Sequence, residues 1–157
     1  MERVEHTFAP VYNSASRILI VGTMPSVQSR QHGFYYGNPR NRFYDVLCTL
    51  LGAEKPETVE QKRDLLLDCR IAVYDVLHSC EIHGSSDASI KDAVPNDFSP
   101  IFNAAHIKCV FANGKTAYRY YTGYIGKAVA LPSTSPANAA WDLKRLADAW
   151  AVILEYL

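Results

Sequence analysis

The chain has 157 residues, of which 48% are hydrophobic and 20% charged, with a formal net charge of zero. That is enough apolar material for one core and enough charge for a soluble surface. Eight glycines and eight prolines, scattered singly, exclude collagen-like and low-complexity chains. No apolar run approaches the ~20 residues that span a bilayer, and the opening MERVEHTFAP carries acids where an export signal has an apolar stretch. The expectation is a cytoplasmic protein built as a single domain over 1–157.

Arg17-Ile-Leu-Ile-Val-Gly22 reads as a buried strand, continuous, β-branched and stopped by glycine. After a loop, Phe43, Val46, Leu47, Leu50 and Leu51 recur at helical spacing and predict a helix over 41–51, with Asn41 as its cap and Gly52 at its end. A capping box, Thr58 with Gln61, opens a second helix that runs to about Cys69. Ile71 to Val76 is the next strand. The polar stretch Ser79–Asp97 reads mostly as loop. Ser99-Pro100 starts a short helix ending near Ala105. Ile107–Ala112 is a third strand, Asn113-Gly114 turns into a helix of about 115–122, and Ala128–Leu131 is a short fourth strand. The last helix is expected from Ser135-Pro136 or Asn138, packing Leu143, Leu146, Trp150, Ile153, Leu154 and Leu157 along one stripe. Strands separated by helices predict an α/β fold, a three-layer αβα sandwich around a short, mostly parallel four-stranded sheet.

Cys48, Cys69, Cys80 and Cys109 form no C-x-x-C pair and the five histidines show no ligand spacing, so reduced thiols, no metal and no cofactor are expected. Charge is unevenly spread. His6–Tyr44 contains no acid but holds Arg17, Arg30, Arg40 and Arg42; Phe98–Trp141 is also acid-free and holds Lys108, Lys115, Arg119 and Lys127. Eleven of the sixteen acids lie between Asp45 and Asp97. Two basic segments flanking an acidic middle suggest one positive face on a neutral protein, suited to phosphate.

In parallel α/β sheets ligands sit outside the carboxyl ends of the strands. There the sequence places Gly22-Thr-Met-Pro-Ser26, the segment Tyr35-Tyr-Gly-Asn-Pro-Arg-Asn-Arg-Phe-Tyr44, and Leu131-Pro-Ser-Thr-Ser-Pro-Ala-Asn138. The first has a single glycine and no G-K-[ST], so it is neither a dinucleotide fingerprint nor a P-loop. Each also has a plain structural reading: a strand-to-loop turn, a turn asparagine with a helix cap, and a serine-rich helix start. Asn38 precedes proline, which holds it out of helical geometry and presents its amide from a stiff turn.

In this order the three motifs resemble the uracil-DNA glycosylase superfamily, most closely its hypoxanthine-DNA glycosylase branch, over nearly the whole chain. The resemblance implies a monofunctional DNA glycosylase that hydrolyses the N-glycosidic bond of deaminated bases flipped from DNA, foremost hypoxanthine from deoxyinosine. Two departures from the wider superfamily bear on mechanism. Thr23-Met24 replaces the water-activating acid or amide of the first motif, and Leu131 replaces the residue before Pro-Ser that donates to the leaving base. The resemblance therefore assigns catalysis to Asn38, with Asn41 as the other candidate. Thr23, Met24, Tyr36, Asp75 and Asn113 are the expected base-binding residues. Ser26, Arg40, Lys115, Ser133, Thr134 and Ser135 are expected to hold DNA, with Arg30 and Arg119 as further phosphate cations. Tyr36 or Tyr35 would stack on the extruded base, and His83–Asp87 is a further loop without an assigned role. The implied partner is DNA carrying deaminated bases, bound by a monomer. Excision of uracil or a mismatched base, a lesion-binding module without catalysis, and a small-molecule-binding α/β domain are the competing readings.

Overall fold

The computed structural model describes residues Met1–Leu157. The strands are β1 (Glu2–Glu5), β2 (Ile18–Gly22), β3 (Ile71–Asp75), β4 (Leu77–His83), β5 (Ser86–Pro95), β6 (Cys109–Asn113) and β7 (Val129–Leu131). The helices are α1 (Val27–His32), α2 (Phe43–Leu51), α3 (Val59–Asp68), α4 (Ser99–Ala104), α5 (Lys115–Tyr124) and α6 (Leu143–Trp150), the last continued by a 3₁₀ segment, Ala151–Tyr156.

Four strands form a parallel sheet in the order β3-β2-β6-β7. Every residue of β2 is buried, as the central strand of a sheet covered on both faces requires. Its alternate side chains divide the core. Ile18 and Ile20 point into a cluster with Phe43, Leu47, Leu66, Leu146 and Trp150, contributed by α2, α3 and α6. Leu19 and Val21 point into a second cluster with Leu77, Cys80, Ile101, Ala117 and Tyr121. Helices thus cover both faces of a four-stranded sheet, which is the expected three-layer architecture.

The second face carries an element that the sequence reading missed. Ser79–Asp97 is not mostly loop: β1, β4 and β5 make a three-stranded antiparallel sheet in the order β1-β4-β5. Its outer strand β5 is largely exposed, so no apolar alternation marks it. The hairpin turns at Gly84-Ser85, with Gly84 at φ 59°, a glycine-first dipeptide suited to a two-residue turn. The last helix also differs, starting at Leu143 with Asp142 as cap, where Asp142 accepts from the Arg145 amide at 2.8 Å.

Register sets the site. Gly22 lies opposite Asp75, Val21 opposite Ala112, and Asn113 opposite Leu131. All four strands therefore deliver their carboxyl ends to one edge, and the loops that follow gather there. No helix is long and apolar enough to cross a membrane.

Candidate active site

A cavity of about 550 Å³ opens at that edge. Every residue expected to bind the base or catalyse, Asn38, Asn41, Thr23, Met24, Tyr36, Asp75 and Asn113, lines it, as do Ser26, Ser133, Thr134 and Ser135. Arg40 and Lys115 do not; both are exposed beyond its rim.

The floor is a carboxylate beside a phenol. Asp75 ends β3 almost fully buried, and its Oδ2 is held by His6 Nε2 at 2.9 Å. Its Oδ1 lies over Gly22: a Cβ added there would stand 2.4 Å from that oxygen and 3.1 Å from the Tyr36 hydroxyl. Glycine at 22 is thus a requirement of space. The Tyr36 hydroxyl is buried without a hydrogen-bond partner. Burial first, then the Asp75 charge, push its pKa far above the usual phenol range, so it stays protonated and can donate. Tyr36 stacks one ring face on Phe43 at 4.0 Å, and its backbone sits in the left-handed region at φ 54°, uncommon for a bulky residue.

The wall from Tyr36 to Asn41 is fixed from α1. Ser26 caps α1, accepting from the Ser29 amide and donating to Ser29 Oγ, both at 3.1 Å; Ser29 Oγ accepts from the Gly37 amide at 2.8 Å. A Cβ on Gly37 would come within 3.2 Å of the Ser29 Cα. The Ser26 hydroxyl is therefore engaged within the fold while the residue stays half-buried on the cavity wall. Asn38 then presents its side chain, with Oδ1 accepting from the Arg40 amide at 2.9 Å. Asn41 is more heavily engaged: its Oδ1 accepts from the Phe43 amide at 2.9 Å and from the Thr134 hydroxyl at 2.8 Å. Both lone pairs of that oxygen are occupied, whereas one on Asn38 remains open.

The opposite wall is the 131–138 turn. Thr134, expected at phosphate, has 0% exposure. Its hydroxyl donates to Asn41 and accepts from Asn113 Nδ2 at 3.0 Å, and its amide donates to Asn113 Oδ1 at 3.0 Å. It locks three segments together and cannot reach a phosphate. Asn113 also approaches the Tyr36 phenol, opposing in part the burial and the Asp75 charge that raise its pKa. Ser133 and Ser135 stay half-buried on the wall, accepting only from nearby amides. Arg42 holds this turn from behind: Nη2 donates to the carbonyls of Ser135 at 2.9 Å and Asn138 at 3.1 Å, and Nη1 donates to that of Trp141. Residues 135–141 form successive turns rather than the expected helix start, with Asn138 and Trp141 amides donating to the Ser135 and Asn138 carbonyls.

The β4–β5 hairpin forms one side of the mouth. Ser85 Oγ accepts from the Val27 amide at 2.9 Å, and Arg30 Nη2 donates to the Gly84 carbonyl at 3.4 Å. Arg30 is thus a strut of the fold. Ser85 and Asp87 join the lining. Sequence reasoning missed the roles of His6 and Arg42; the Gly84-Ser85 turn signal would have found the hairpin, while His6 and Arg42 act through contacts between distant segments. No three metal-ligating side chains converge anywhere in the chain.

The family model of the Uracil DNA glycosylase superfamily matches residues 9–155. The chain is 30% identical to the Hypoxanthine DNA glycosylase of Methanosarcina acetivorans over 98% of its own length and 99% of the relative's. It is 33% identical to the protein of the same name from Methanosarcina barkeri, covering 92% and 94%. A solution NMR structure from Methanosarcina acetivorans, described as a candidate uracil DNA glycosylase, superposes with a TM-score of 0.80 at 30% identity, covering 95% of this chain and 96% of the other.

Proposed function

Since the chain belongs to the uracil DNA glycosylase superfamily, a family of hydrolases acting on N-glycosyl bonds, we propose that it excises hypoxanthine from deoxyinosine in DNA, with Asn38 aiming the attacking water. The observation that carries the choice of amide is the difference in engagement. Asn38 Oδ1 lines the cavity with a free lone pair, while Asn41 Oδ1 is held by Phe43 and Thr134. Asn41 is then a support of the wall and Asn38 the working group.

Glycosidic cleavage passes through an oxocarbenium-like sugar. An amide carbonyl cannot fully deprotonate water, but it can orient one below C1′, and a cationic carbon needs little more. The base must first leave the stack, which costs least at a mispaired or deaminated site. The floor fits the lactam edge of such a base: Asp75 Oδ1 accepts the ring N–H and the unpartnered Tyr36 hydroxyl donates to the adjacent carbonyl. Adenine, with a bare N1 in that position, meets a carboxylate lone pair and is disfavoured. Thr23 and Met24 line the entry, Tyr36 offers aromatic surface, and Asn113 completes the base site. Ser133, Ser135, Arg40 and Lys115 supply phosphate contacts around the rim. All these groups come from one chain, so a monomer suffices.

The test is single-turnover excision from a duplex carrying one deoxyinosine, with abasic product revealed by alkali. Asn38→Ala should lower the rate by about 10²–10³ and leave DNA affinity within a few-fold. Full activity in Asn38→Ala, with the loss appearing in Asn41→Ala instead, reverses the assignment. A panel with uracil, xanthine and adenine opposite the same partner orders the base preference.

A further inference from the structure

Hypoxanthine and guanine share the N1–H and O6 edge that Asp75 and Tyr36 are placed to read, and guanine differs by its 2-amino group. A carboxylate with two open oxygens favours guanine, because it accepts N1–H and the adjacent amino N–H side by side, as it does from a guanidinium. A site that did so would strip an ordinary base from DNA. The floor therefore has to show the purine one carboxylate oxygen and not two.

His6 stands where it can impose that. β1 pairs with β4 as far as Glu5 opposite Ser79, and the His6 amide donates to the His78 carbonyl at 2.7 Å, which brings the imidazole to the end of β3. A carboxylate only accepts, so the 2.9 Å contact is Nε2–H donating to Asp75 Oδ2. The His6 side chain is 1% exposed and takes no part in the cavity lining, so this bond turns Oδ2 away from the cavity. Oδ1 has no partner within the fold and opens on the cavity above Gly22. The imidazole is held in place by the rings of Phe8, Tyr35 and Tyr74, whose centroids lie 4.6, 5.7 and 5.3 Å from its own. Its Nδ1 is buried without a partner. An orphaned buried nitrogen is costly, and phenylalanine would fill the same aromatic nest without one. Packing alone does not account for a histidine here; the bond to Asp75 does.

Resting on the glycosylase reading above, we propose that His6 is a positioning residue that sets the choice of purine: by holding Oδ2 it limits Asp75 to one hydrogen bond with the base, which admits hypoxanthine and excludes guanine. Guanine in this site would have its 2-amino group stripped of water with no second carboxylate oxygen to meet it, whereas the C2–H of hypoxanthine needs no partner.

The test is single-turnover excision from duplexes carrying deoxyinosine or deoxyguanosine, both opposite thymine so that each base starts from a wobble pair. Wild type should act on deoxyinosine and spare deoxyguanosine. His6→Phe keeps an aromatic ring and removes the donor, and should raise the guanine-to-hypoxanthine rate ratio by about 10–10². His6→Gln, whose amide can still donate to Oδ2, should keep that ratio within about threefold of wild type. An unchanged ratio in folded His6→Phe, with both rates falling together, is what a merely structural role gives and overturns the proposal. A shift in His6→Gln as large as in His6→Phe, or wild-type excision of guanine as fast as hypoxanthine, overturns it equally. Nitrogen NMR of the wild-type imidazole needs no variant to fold: the proton should lie on Nε2, and a proton on Nδ1 alone overturns the bond on which the proposal stands. Wild-type protein that excises nothing from the deoxyinosine duplex sinks the glycosylase reading and this inference with it, whereas wild-type excision with an unmoved ratio sinks this inference alone.

Discussion

Replacing Thr134 by valine tests whether the wall opposite Asn38 is held by one hydroxyl. Valine preserves the shape of the side chain and removes two hydrogen bonds, the one donated to Asn41 at 2.8 Å and the one accepted from Asn113 at 3.0 Å. Thr134 itself has 0% exposure, while Asn41 and Asn113 are half-buried on the cavity wall. Two net hydrogen bonds at about 1 kcal/mol each, with an Asn113 N–H left facing a methyl group, give a loss of about 2–3 kcal/mol. For a domain of this size that is a fall of roughly 5–10 °C in melting temperature. Thermal unfolding by circular dichroism reads it. Ser135→Ala is the contrast: its oxygen accepts from the neighbouring Ala137 amide near solvent, and its change should stay within about 0.5 kcal/mol. A Thr134→Val melt within about 1 °C of wild type refutes the reasoning, because a buried hydroxyl bridging two side-chain amides cannot be removed so cheaply.

Gly22→Ala would place a methyl group 2.4 Å from Asp75 Oδ1; it should destabilise by about 1–3 kcal/mol and abolish excision, and a normal melt with normal activity would contradict the packing. His6→Phe removes the partner of a buried carboxylate and should cost about 1.5–3 kcal/mol in denaturant unfolding, while weakening discrimination between hypoxanthine and adenine. Arg40→Ala and Lys115→Ala should each reduce the log–log salt slope of DNA binding by about one without altering base preference; slopes equal to wild type would remove both from the DNA path. Arg42→Met should loosen the 131–138 turn, detected as faster amide exchange at Ser135 to Trp141 together with a lower melting temperature.

The parallel sheet was legible because its strands are buried on both faces and their sequences say so: Ile18–Gly22, Ile71–Asp75 and Cys109–Asn113 fall within a residue or two of the expected spans. The capping box at Thr58 and Gln61 appears as read. The hairpin β4–β5 escaped because burial is what writes alternation into a strand, and β5 is mostly exposed. α1 escaped for a similar reason: Val27–His32 buries only Ser29, so no apolar period marks it. The cavity lining was legible from motifs at the strand ends. What those motifs could not say is which polar groups face inward and which hold one another. Ser26 and Thr134 are serine and threonine in a promising turn, as Ser133 and Ser135 are; only the folded contacts divide them. Arg42 reads as one more cation in an acid-free segment until three carbonyls are found around it.

That guanidinium has a consequence for anyone measuring this protein. Its charge does not titrate in any accessible buffer, and the three carbonyls it grips are uncharged and part-buried. The grip on the serine turn thereby keeps its charge whatever the acidity. Changes of rate with acidity, and of affinity with added electrolyte, therefore report on the ionisable floor and the exposed rim rather than on this clamp.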